Sequence, residues 1–274
     1  MTLWERGGRR RLIGVVHLLP LPGAPRPSPG LVAVCARAVA DARALADGGV
    51  DAIIVENLGD APFAADQVEP ATVAAMTVVA LAVRDACHAT PLGVNVLRND
   101  AVSALAVGAA VSAAFIRVNV LSGVMVTDQG VIGGRARELL LERNRLGADL
   151  RIAADVLVKH AVPLGEVDLA DAARDLEGRA GADVIIVSGR GTGLPTEPAR
   201  VRRVRGVVAA PVWIGSGVTS DAPGAAADAD GAIVGTALHW DSRLDAPVDP
   251  ERVRRMRAAL DALPALTDHA PFNG

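Results

Sequence analysis

The stretch PVWIGSGVT (residues 211–219) decides the fold. Val212, Trp213 and Ile214 read as a short buried strand. Gly215, Ser216 and Gly217 then allow a tight turn that bares backbone N–H groups. The pattern returns in AIVGTAL (232–238): an apolar strand, Gly235, Thr236, then a candidate helix start. Two glycine-ended strands feeding helix N-termini suit an anion, because free N–H groups and the helix dipole both favour negative charge. In a (β/α)₈ barrel, the loops after strands seven and eight hold phosphate in this way. The predicted phosphate-binding residues are therefore Ser188, Gly215, Ser216, Gly217, Gly235 and Thr236.

Working outward, short apolar runs alternate with longer helical patterns. Candidate strands cover 12–17, 52–56, 92–96, 115–119, 151–157, 184–188, 212–215 and 232–235. Between them, apolar residues recur at helical spacing, as in Leu31, Val34, Cys35, Ala38, Val39, Ala42 and Leu45. Asp168 is a candidate N-cap, Asp249-Pro250 a cap followed by proline at the first helical position, and Gly147 and Gly206 sit at helix C-termini. The helix between Thr219 and Asp228 has little room. Strand–helix alternation implies parallel strands, and eight such units favour one closed α/β TIM barrel over an open sheet. A single domain over 1–274 is expected, with 1–11 as a flexible N-terminal extension. Two loops on the carboxyl side of the strands are long, 57–68 and 121–134. The second, with Gly123, Gly130, Gly133 and Gly134 around Asp128 and Gln129, reads either as a mobile lid or as a variable surface loop.

Composition narrows the function. The chain has 274 residues, 51% hydrophobic and 22% charged, enough for a sizeable core. A barrel commonly runs to ~250 residues. A net charge of −3 and the absence of tyrosine argue against a nucleic-acid footprint or base stacking. Cys35 and Cys87 lack metal-ligand spacing and read as buried apolar residues in a reducing compartment. No apolar run reaches the ~18 residues of a membrane span. The run after Arg11 is interrupted by His17, Pro20 and Pro22, unlike a signal peptide. A cytoplasmic protein with no membrane insertion is expected, and assembly into a homo-oligomer stays open.

The strand ends carry the chemistry. His17, Glu56, Asn95, Arg117, Asn119, Asp155, Lys159 and Ser188 all fall at or just past them. Period-two alternation puts Arg117 with Asn119, and Asp155 with Lys159, on common faces. Barrel interiors are otherwise filled by branched apolar residues, so polar groups at the carboxyl ends read as a site. Each also has a structural account: His17 as a buried, hydrogen-bonded histidine, Glu56 with Arg117 as an ion pair, Asn95 as a loop cap. Glu56 and Asp155 together could hold Mg²⁺. His88, His239 and His269 look peripheral. Lys159 is the only lysine; every other basic side chain is arginine. Two roles fit it: a Schiff-base nucleophile, or a charged donor kept protonated by Asp155, the latter slightly favoured. The predicted catalytic set is Lys159, Asp155, His17, Glu56, Arg117, Asn95 and Asn119.

From about Leu12 to Leu263 the chain also resembles the BtpA/SgcQ family. The ordered motifs are VHLLPLPGAP (16–25), DAIIVENLGDAPF (51–63), PLGVNVLRNDA (91–101), FIRVNVLSG (115–123), TDQG (127–130), ADVLVKHA (154–161), GSGVT (215–219) and PVDPERV (247–253). The resemblance implies a fold similar to ribulose-phosphate-binding barrels. That family takes its name from photosystem I biogenesis, and some members are encoded among sugar-metabolism genes. Where relatives commonly place Lys-Lys-Asp-Gly, this chain has His239-Trp240-Asp241-Ser242, so a lysine role there is not carried over. Two functions follow as expectations. One is an enzyme for a small phosphorylated metabolite, such as a sugar phosphate, with aldolase, isomerase or lyase chemistry. The other is a non-catalytic factor for assembly or stability of photosystem I reaction-centre proteins.

Overall fold

The computed structural model describes residues 2–189 and 196–266. Eight parallel strands close into a barrel: β1 (Arg11–His17), β2 (Ala52–Glu56), β3 (Leu92–Asn95), β4 (Phe115–Val118), β7 (Arg151–Val156), β9 (Val184–Val187), β10 (Val212–Ile214) and β11 (Gly231–Val234). Helices cross back outside: α1 (Leu31–Asp47), α2 (Pro70–Ala86), α3 (Ala101–Ala110), α4 (Ala136–Leu146), α5 (Leu169–Gly178), α6 (Pro198–Arg205) and α7 (Pro250–Asp261). Between β10 and β11 only a 3₁₀ turn, Pro223–Ala226, fits. The predicted eight strands and the short seventh crossover are therefore found.

Local chemistry sets the helix ends. The Asp168 side chain accepts from the N–H groups of Ala170 and Asp171, and Asp249 accepts from that of Glu251, satisfying donors that the first helical turn leaves open. Gly147 ends α4 in the left-handed region at φ 59°, where a Cβ is strained. Gly206 ends α6 at φ −71°, an ordinary helical value.

Side-chain alternation makes two apolar layers. Leu12, Val16, Val55 and Ile185 face the helices. Ile13, Val15, Ile54, Phe115, Ala153, Ile186, Trp213 and Ile233 fill the barrel. Gly93 is glycine because a Cβ there would lie 2.4 Å from the Phe115 ring.

Two expectations are corrected. Residues 2–10 are packed, not a flexible extension. Leu3 is buried, and Trp4 stacks on Trp213 at 6.2 Å and meets Phe115 edge-on at 5.8 Å, closing the amino-terminal end of the barrel. Gly7 N–H donates to Asp230, and Arg11 is buried. Nor is 121–134 an open loop. β5 (Val124–Thr127) and β6 (Gly130–Gly133) form an antiparallel hairpin, and β8 (Ala161–Pro163) adds a third strand beside β5. Met125 and Ile132 are buried beneath this sheet, whereas Val126, Val131 and Val162 are exposed on its outer face. Among the described residues, no helix is long and apolar enough to cross a membrane.

Candidate functional site

The same alternation that fills the barrel builds its mouth. His17 follows Ile13 and Val15 inward; Glu56 follows Ala52 and Ile54; Arg117 follows Phe115; Asp155 follows Ala153; Ser188 follows Val184 and Ile186. Asn95, Gly215 and Gly235 occupy the matching positions on β3, β10 and β11. Six of the eight barrel strands thus contribute a polar side chain to a layer above the apolar core, and the other two contribute glycine. Strand register puts His17 beside Glu56, and Glu56 beside Asn95.

This layer divides into two hydrogen-bonded groups. In the first, Asp155 accepts from Arg117 Nε at 2.9 Å, Arg117 Nη2 at 3.1 Å, Asn119 Nδ2 at 3.2 Å and Ser188 Oγ at 2.7 Å. In the second, Glu56 Oε2 accepts from Asn95 Nδ2 at 2.6 Å, and Oε1 lies 3.7 Å from His17 Nε2. Arg117 joins them, with Nη1 3.9 Å from Glu56 Oε2. Desolvation works against the Arg117 charge, but Asp155 and Glu56 outweigh it and raise its pKa.

Three expectations change here. The guanidinium of Arg117 stands between Glu56 and Asp155, the place a Mg²⁺ shared by them would take. Among the described residues no group of three or more His, Cys, Asp or Glu is placed to hold a metal. Ser188 directs its hydroxyl to Asp155, so it supports Arg117 rather than the anion site. His239 is not peripheral: it is fully buried, its ring stacks on His17 at 5.5 Å, and its Nε2 lies 3.4 Å from His17 Nδ1. His239 Nδ1 meets the carbonyl of Ala246 at 2.7 Å. Burial depresses both histidines, His17 to about 4, so the pair is neutral near pH 7. His88 is exposed, and His269 lies outside the described residues.

Lys159 is corrected as well. Leu157 at φ 50°, just after β7, ends the alternation that would set Lys159 on the face of Asp155. Asp155 is saturated by other donors, and Lys159 makes no ion pair with any described residue. Burial, then Arg117, lowers the Lys159 pKa despite Glu56 and Asp155. Asp155 therefore gives no preference to the charged-donor role over the nucleophile role, because the expected partner belongs to Arg117.

Lys159, Arg117, Glu56 and Leu58 form the shared wall of two cavities. One, of about 300 Å³, is bounded by His17 and by Gly215, Ser216, Gly217, Gly235 and Thr236. The N–H groups of Gly217, Gly235 and Thr236 have no acceptor among the described residues. Gly217 stands at φ 79°. A Cβ at Gly235 would lie 2.5 Å from His17 Cε1, and one at Gly215 2.3 Å from Ser188 Oγ. Those glycines therefore serve close approach of side chains as well as a turn. Ser216 Oγ accepts from the N–H of Gly189, tying the loops after β9 and β10 together. The second cavity, about 360 Å³, lies toward Phe63, Arg98, Asn119, Asp128 and His160.

Residues 8–262 match the model of the BtpA family. The chain belongs to the BtpA family. A relative in Synechocystis sp., named photosystem I biogenesis protein BtpA, is 50% identical over 251 residues, covering 91% of this chain and 87% of its own. An uncharacterized protein of Thermococcus kodakarensis is 45% identical over 249 residues, 90% of this chain and 94% of that one. Among solved structures, thiamine phosphate pyrophosphorylase from Pyrococcus furiosus aligns with a TM-score of 0.57 at 14% identity, over 92% of this chain and 96% of its own. For 3-hexulose-6-phosphate synthase the TM-score is 0.56 at 15% identity, over 91% and 99%. At these identities the likeness is one of fold.

Arg98, His160 and His239 went unremarked as site residues in the sequence. Arg98 and His160 lie beyond strand ends, inside the family motifs PLGVNVLRNDA and ADVLVKHA. His239 follows a 3₁₀ turn, Thr236–Leu238, that the strand pattern does not announce.

Proposed function

We propose that this member of the BtpA family is an enzyme acting on the carbonyl group of a small phosphorylated metabolite. The observation that carries the reading is Lys159: the only lysine, half-buried, unpaired with any described carboxylate, and set between the two cavities. Burial and the neighbouring Arg117 cation lower the Lys159 pKa, which eases loss of the proton that the amine must give up before it attacks a carbonyl. The N–H groups of Gly217, Gly235 and Thr236 would hold the phosphate on one side. Attack by Nζ gives a carbinolamine, and loss of water gives an imine. Glu56, next to neutral His17, is placed to carry the protons that these steps, and a following aldol, isomerase or lyase step, must move.

A second reading rests on the Synechocystis relative's name and on the exposed valine face of β5, β6 and β8. There the protein would be a non-catalytic factor for photosystem I assembly. Thermal shift separates the two. Stabilisation by phosphorylated aldehydes and ketones, and not by their dephosphorylated forms, supports the enzyme. Indifference to every phosphate ester overturns it.

A further inference from the structure

The cavity on the far side of Lys159 has a chemistry of its own. Arg98 is 8% exposed and lines it, yet has no carboxylate within ion-pair distance among the described residues. Its Nη2 donates to the carbonyl of Lys159 at 2.8 Å, while Nε and Nη1 have no partner among those residues. Its backbone is fixed: Arg98 N–H donates to the carbonyl of Ala64, and the next residue, Asn99, makes two hydrogen bonds to the Val120 backbone. This guanidinium is held in place with the N–H groups of two nitrogens, Nε and Nη1, unused.

Asn119 supplies the complementary group. Asp155 takes its Nδ2, which sets the orientation of the amide. The other atom, Oδ1, is then left buried without a donor, although Asn119 is only 3% exposed and lies in the wall of this cavity. An orphaned buried acceptor costs stability unless a ligand or water satisfies it, so it marks a place where a hydroxyl or amine hydrogen belongs.

We infer that this cavity is a second subsite, which takes the hydroxylated, carboxylate-bearing end of a phosphorylated sugar acid. The inference rests on the reading of the first cavity as the phosphate site. Arg98 would grip the carboxylate through Nε or Nη1 together with the second Nη2 hydrogen, since a guanidinium fork matches a planar carboxylate. A substrate hydroxyl would donate to Asn119 Oδ1. Asp128, exposed at the tip of the β5–β6 hairpin, borders the same cavity. Its negative charge disfavours a second, dianionic phosphate more than a monoanionic carboxylate, and it can accept from further hydroxyls. The substrate carbonyl then falls between the ends, beside Lys159.

Calorimetric titration of the full chain with 6-phosphogluconate, glucitol 6-phosphate and gluconate tests this. The first two are six-carbon phosphate esters that differ at the carboxylate; the third lacks the phosphate. 6-Phosphogluconate should bind about tenfold or more tightly than glucitol 6-phosphate, as a charge-assisted hydrogen bond to a carboxylate allows. Arg98→Met, which keeps the side-chain stem, should bring the two within about twofold while leaving glucitol 6-phosphate binding in place. Equal binding of both esters by the parent protein overturns the carboxylate subsite and leaves the phosphate site standing. No binding of either ester overturns both. The parent's ratio carries the test even if Arg98→Met folds poorly.

Discussion

Arg117 holds Asp155 through two parallel hydrogen bonds, Nε to Oδ2 at 2.9 Å and Nη2 to Oδ1 at 3.1 Å, with the Asp155 side chain wholly buried. The pair is scaffold first. Asp155 also takes the amide of Asn119 and the hydroxyl of Ser188, so it has no capacity left for substrate. Asp155→Ala should cost about 3–5 kcal/mol, because it strands a buried guanidinium. Glu56→Gln, which keeps an acceptor for Asn95, should cost less than about 1 kcal/mol yet remove turnover. Urea unfolding of both variants checks the contrast; a Glu56→Gln loss as large as that of Asp155→Ala would contradict it.

The His17–His239 pair predicts a pH dependence. His17 falls from 6.5 to about 4 in the fold through burial, so between these values the unfolded chain binds more protons than the folded one. Stability is full above pH 6.5 and declines as pH drops toward 4, by about 3 kcal/mol for this residue. His239 acts in the same direction. In His17→Asn the slope of stability against pH over this window should be clearly shallower than in the parent. An unchanged slope would show that His17 takes up protons in the fold as readily as in the unfolded chain.

At Gly235 a methyl group would meet His17 Cε1 at 2.5 Å, so Gly235→Ala must displace the histidine ring. Binding of phosphate esters should weaken in this variant, and in Gly217→Val, which places a branched side chain at φ 79° beside the bared N–H groups. Unaltered affinity in both variants would remove the anion site from these two loops.

Trp4 closes the floor of the barrel against Trp213 and Phe115. Trp4→Ala should lower stability by roughly 2–4 kcal/mol, through lost apolar burial and ring contacts. A variant with the parent's melting temperature would mean that the Trp4 ring does not hold the floor of the barrel.

The barrel was legible because its strands are short continuous apolar runs with polar ends, and because Asp168, Asp249 and Gly147 mark helix ends by local chemistry. The polar layer was legible for the same reason: alternation carries inward-facing positions from Ile13 to His17 and from Ala52 to Glu56 without help from distant residues. What escaped depends on partners far along the chain. The Gly-rich hairpin 124–133 is fixed by β8, which reads as loop in isolation. Trp4 packs because a barrel has an open floor, which no local pattern conveys. Lys159 leaves the face of Asp155 through one left-handed residue, Leu157, which is not glycine. His239 is buried by a ring that lies 222 residues earlier.

Attack of Lys159 on a substrate carbonyl is measured directly by reductive trapping. The protein is incubated near pH 7 with dihydroxyacetone phosphate, glyceraldehyde 3-phosphate and erythrose 4-phosphate, reduced with borohydride, digested and mapped by mass spectrometry. The account predicts a reduced adduct on Lys159 with at least one of these, lost in Lys159→Arg while that variant keeps the parent's fold. A protein stabilised by these esters yet unlabelled at Lys159 would contradict it.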